Sequence, residues 1–65
     1  MNYTRFLIEH SESIQWVKED KALTNDALEA IMFEKESEAL WYLFKVLNLS
    51  VKQGYRITEH EFVIS

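Results

Sequence analysis

At 65 residues, with no cysteine and a formal net charge of −4, this chain is sized for one domain and can draw on no disulfide. A chain this short buries only about 60% of its unfolded surface, so its stability depends on the apolar bulk it carries. Four Phe, three Tyr and two Trp supply that bulk, whereas the basic residues Arg5, Lys18, Lys21, Lys35, Lys45, Lys52 and Arg56 form no cationic block of the kind a general nucleic-acid binder needs.

In chain order, residues 3–10 alternate and are rich in strand formers. Phe6 and Ile8 share a face with Thr4, and Tyr3, Arg5, Leu7 and Glu9 share the other. Residues 10–13 are small and polar and predict a turn. Residues 14–18 then predict a second strand, antiparallel to the first. The turn has no glycine, so a loop of three to five residues fits better than a two-residue one. Residues 19–23 read as a charged connection. Thr24, Asn25 and Asp26 offer N-caps for a short helix of one or two turns. Ile31, Met32 and Phe33 form an apolar step into the core.

The main helix is predicted from Glu36 to Asn48, with carboxylates in its first turn, where the helix dipole favours them. Ala39, Leu40, Leu43, Val46 and Leu47 fall on its inner stripe, with Phe44 on the flank. Glu38, Trp41, Lys45 and Asn48 fall on the outer face, and Tyr42 at a margin. Gly54, the chain's only glycine, ends the following loop, where a positive φ is expected. Residues 55–64 predict the last strand. Its apolar residues change parity between Ile57 and Phe62, which calls for a β-bulge near Glu59–His60 or an end near Thr58.

The expected fold is α+β: one domain built on a three-stranded antiparallel sheet of order 2-1-3. One long helix and a short extra helix cover one face, and the other face is open.

The pattern Thr24-Asn25-Asp26, Ala30, Phe33, Glu38-Ala39 and Tyr55-Arg56-Ile57 resembles small uncharacterised proteins of phages and mobile elements. The resemblance covers most of the chain. It implies a folding pattern and brings no catalytic residue with it. The departure is the aromatic helix, with Trp41, Tyr42 and Phe44 where such helices are more polar.

No catalytic or metal constellation is legible. His10 and His60, with Glu9, Glu59 and Glu61 beside them, lack metal-motif spacing. Ser11, Ser13, Ser37 and Ser50 lie in no nucleophile motif. No glycine-rich phosphate loop exists. The expectation is a non-enzyme without metal or cofactor. No run approaches the roughly 20 apolar residues of a membrane span, and residues 1–10 do not read as a signal peptide. A cytoplasmic protein is expected, in the host cell if phage-encoded.

The leading functional expectation is a small protein-binding module, in its narrower form an inhibitor of a host or defence protein that acts by surface occlusion. Candidate contacts are Trp41, Tyr42, Lys45, Glu38 and Glu34: an aromatic anchor with an acidic rim. The bland alternative for Trp41 is a surface aromatic folded over Lys45 or under a neighbouring loop. The bland alternative for the carboxylates is a helix-start preference. Trp16, beside Phe6 or Tyr3, is expected in the core. A second functional reading is a nucleic-acid accessory that uses the open sheet face through Tyr3, Arg5 and Leu7, and a third is a structural homodimer.

Overall fold

The computed structural model describes residues 1–63. The chain forms an α+β domain on an antiparallel sheet. Strand β1 (Asn2–His10) pairs on one side with β4 (Tyr55–Val63) and on the other with β2 (Gln15–Val17). Strand β3 (Leu23–Thr24) adds to β2, so the order is β3-β2-β1-β4.

The sheet therefore has four strands rather than the expected three. The charged connection is itself a hairpin turn. Lys18 N–H donates to Ala22 O, Lys21 N–H to Lys18 O, and Ala22 N–H to the Asp20 carboxylate. Lys21 takes a φ of 70°, a conformation more often given to Gly or Asn, so the turn carried no glycine signal. The hairpin before it turns through residues 11–14, closed by Ile14 N–H on His10 O at 2.9 Å.

β2 leaves β1 after Trp16. Beyond that point Val17 O accepts from Ile31 N–H, and Phe6 and Phe33 exchange both backbone hydrogen bonds at 2.8 and 2.9 Å. The apolar step 31–33 thus completes the edge of β1 that β2 vacates. No second helix precedes it. The Asp26 carboxylate caps Leu28 N–H at 2.9 Å, but the turn it starts is a single 3-10 turn, Ala27–Glu29.

β1 and β4 pair without interruption from Asn2↔Val63 to His10↔Tyr55. Neither the bulge near Glu59–His60 nor an end at Thr58 occurs. The parity change in β4 has a different cause, because both faces of the strand are put to use. Tyr55 and Ile57 pack under the helix, while His60 and Phe62 join an aromatic row on the other face. Ile64, the end of the expected strand, lies outside the described residues.

The helix α1 (Glu36–Trp41) runs directly into a π turn, Tyr42–Val46. Leu47 N–H closes that turn on Tyr42 O, and Leu49 N–H reaches Leu43 O, both at 3.0 Å. Asn48 stops the helix with a φ of 55°. The expected long helix from Glu36 to Asn48 is thus a short α-helix continued by a wider turn. A π turn carries one more residue than an α turn, so the inward stripe shifts phase. Ala39 and Leu43 remain fully buried against Ile8 and Val17, and Tyr42 packs against them from its margin. Val46, expected on the stripe, is turned outward, and Phe44 on the flank is exposed with it.

Gly54 has a φ of 89°. A Cβ there would meet only His10 Nε2 at an ordinary 3.9 Å, so Gly54→Ala strains the backbone and nothing else. It is expected to cost about 1–2 kcal/mol in urea denaturation; an unchanged midpoint would mean that the turn relaxes. No helix among the described residues is long and apolar enough to cross a membrane.

Candidate functional site

Two surfaces gather the residues singled out above. The first lies on the helix. Ala39 and Leu43 face the sheet one turn apart, and Trp41 lies about 200° round the helix from Ala39, which sends it to solvent. Trp41 is 60% exposed. Beside it an open cleft of about 370 Å³ is lined by Phe33, Ser37, Glu38, Trp41 and Tyr42. Phe33 is fixed there by its backbone bridge to Phe6, and its ring meets Tyr42 at 5.4 Å and 52°. The cleft therefore has a firm floor anchored in the sheet and a wall contributed by the helix.

Of the expected contacts, Trp41, Tyr42 and Glu38 come together in this cleft. Lys45 is exposed one turn beyond Trp41, and Glu34 is exposed ahead of the helix; neither lines the cleft. Sequence reasoning missed Phe33 and Ser37. Phe33 reads as core by hydropathy, and only its place in the cleft lining, beside the Tyr42 ring, shows that it also faces a surface recess. Ser37 is placed by the helix register one turn before Trp41.

The second surface is the open sheet face. The strand register puts Tyr3 opposite Phe62, Arg5 opposite His60 and Leu7 opposite Thr58. Tyr3 stacks on Phe62 at 5.4 Å and 22°, and the Arg5 guanidinium sits 4.8 Å from the Tyr3 ring centroid. The Phe62 ring is 6.3 Å from His60, whose own ring meets Trp16 edge-on at 5.4 Å. Trp16 and His60 stand on β2 and β4, with β1 between them. Their contact roofs Leu7, which is fully buried.

Leu7 is thus no contact residue, and only Tyr3 and Arg5 of that expected trio remain accessible. Trp16 is not in the core beside Phe6, which lies on the opposite face. It is half-buried over Leu7, and its indole N–H has no acceptor among the described residues. His60 and Phe62 were missed because the expected bulge moved them out of register. The signal that finds them is the unbroken pairing with Tyr3 and Arg5.

The cations of this face are mostly engaged. Arg56 Nε donates to the Glu9 carboxylate at 2.6 Å, and Lys18 lies 3.9 Å from Asp20. The Glu9 side chain is only 7% exposed, while that of Arg56 is 61% exposed. Removing the arginine leaves a nearly buried carboxylate without its partner. Arg56→Met is therefore expected to cost about 1–2 kcal/mol, held down by the solvent around the guanidinium. Adding Glu9→Leu should recover most of that loss. Chemical denaturation of the double-mutant cycle checks this, and equal costs for the single and double variants would remove the pair as the cause.

Compared with protein-family models, curated proteins and solved structures, the chain matches none.

Proposed function

We propose that this protein is a non-enzymatic protein-binding module whose anchor is the cleft beside Trp41. The observation that carries the reading is a large aromatic left 60% exposed on a chain that needs its aromatics inside. It borders a cleft lined by Phe33, which is bridged to the sheet through Phe6, and its neighbours Phe44 and Val46 are exposed on the same helical segment. Trp and Tyr beside an apolar recess are the side chains that most often dominate interface energy. The cleft offers aromatic faces, the hydroxyls of Ser37 and Tyr42, and one carboxylate. That set suits recognition better than acyl transfer, which requires a base held against a nucleophile. Occlusion of a host or defence protein is the narrower form, and it rests on the resemblance to phage and mobile-element proteins.

The nucleic-acid reading draws on the aromatic row of the open face. It is the weaker one, because Arg56 is held by Glu9 and Lys18 lies beside Asp20, and stacking surfaces for single strands ordinarily carry surrounding cations.

Site-specific photocrosslinking tests the proposal. A benzophenone side chain in place of Lys45, one turn from Trp41, should capture a partner in cells. The same group in place of Lys52, outside the cleft, should not. Equal capture from both positions, or from Lys52 alone, would move the binding surface elsewhere.

A further inference from the structure

The sheet ends in β4, on the side of β1 opposite β2 and β3. β4 is nine residues long and is the last strand of the sheet. Among the described residues nothing pairs with its outer edge. The direction of its backbone groups follows from the register. Phe6 exchanges hydrogen bonds with Phe33, so its N–H and C=O point away from β4. Glu59, opposite Phe6, then points its own groups outward. By alternation Tyr55, Ile57, Glu61 and Val63 do the same, and the even-numbered residues bond to β1.

Long edges of this kind are usually blunted by proline, bulges or shortness. β3, at the other edge, has two residues. β4 has no bulge and no proline. What it does carry is charge of one sign on one face. Glu59 and Glu61 are both exposed there, and the other outward-bonding positions, Tyr55, Ile57 and Val63, hold no cation.

These carboxylates select the occupant. If a second copy paired antiparallel along β4, registers centred on Glu59, His60 or Glu61 would set Glu directly against Glu. The register centred on Thr58 would place the two Glu59 side chains on the diagonal, about 7–8 Å apart. A strand with basic residues at alternate positions meets the opposite situation. Its cations fall across from Glu59 and Glu61, and its intervening side chains continue the row of Thr58, His60 and Phe62 on the open face. We propose that the β4 edge binds an extended segment of a protein partner with lysine or arginine at every second residue and apolar residues between, as an added antiparallel strand.

Amide exchange followed by NMR on the full chain gives a readout that only this geometry produces. In the free protein the amides of Arg56, Thr58, His60 and Phe62 should exchange slowly and those of Ile57, Glu59 and Glu61 quickly. A synthetic peptide alternating lysine and valine over seven residues should add protection at Ile57, Glu59 and Glu61. A glutamate–valine peptide should not, and neither should a peptide with the same lysines and valines grouped in two blocks. Glu59→Gln combined with Glu61→Gln should weaken the lysine peptide roughly three- to tenfold. The glutamine at 61 keeps an oxygen for the Asn2 side-chain amide, which donates to Glu61 at 3.1 Å. The proposal is overturned by saturation without protection at the three odd-numbered amides, by no binding of the lysine peptide at millimolar concentration, by equal protection from either control peptide, or by unchanged affinity of the double variant. Protection that appears without peptide and rises with protein concentration would overturn it in favour of a second copy.

Discussion

Leu43→Ala is expected to leave the chain largely unfolded at room temperature. Leu43 is fully buried, in one cluster with Ile8, Val17 and Ala39, at the point where the helix meets the sheet. Its truncation removes apolar contact and leaves a cavity that a short helix–sheet layer can only partly close, at about 2–5 kcal/mol. Domains of this kind hold about 5 kcal/mol or little more in total, the low end of the usual range. Its backbone carbonyl also receives the Leu49 N–H that ends the helix, so loosening at Leu43 reaches the helix stop. Val46→Ala is the matching control. A regular helix would place Val46 on the same stripe, whereas the π turn exposes it, and its cost should stay near 0.5 kcal/mol. Thermal melts followed by circular dichroism check both variants. Comparable losses at the two positions would show that the inward stripe runs as a regular helix and that the π turn does not set it.

Trp41→Ala should do the reverse, preserving the fold and removing binding. The side chain is mostly in solvent, so its loss leaves the core cluster untouched. At an interface, by contrast, a desolvated indole typically accounts for about 2 kcal/mol or more, a roughly thirtyfold weakening. The expected result is an unchanged circular dichroism spectrum and melt, with at least that loss of affinity for the partner captured beside the cleft. A lost fold would place Trp41 among the structural residues. An intact fold with unchanged affinity would remove it as the anchor, and the cleft with it.

The outward position of Trp41 was legible because one helical turn is enough to place a residue. Ala39 and Leu43 identify the inner side, and Trp41 between them must face away. The cleft itself was not legible. Its floor is Phe33, and a sequence pattern cannot separate a phenylalanine that fills a core from one that fills it with one edge and lines a recess with the other. The open face was half legible. The alternation of β1 put Tyr3, Arg5 and Leu7 together, but Leu7 is roofed by Trp16 and His60, which come from strands on either side of it. Contact across three strands depends on the register of both neighbours.

Residue pattern alone yields the α+β class, the first hairpin, the antiparallel return of the last strand, the positive φ at Gly54 and the outward direction of Trp41. Each follows from local periodicity, from the conformational freedom of one residue, or from counting chain directions through short connections. Tertiary structure alone decided the short β3, the bridge of Phe33 to β1, the unbroken β4 and the π turn after Trp41. The reason is that these features settle competitions between distant segments for the same hydrogen bonds and the same apolar area. Residues 31–33 take the edge of β1 that β2 gives up, and β4 finds apolar neighbours on both of its faces. The helix widens at Tyr42–Val46, with Tyr42 and Leu43 both against the core cluster, and no window of the sequence contains that contact with the sheet.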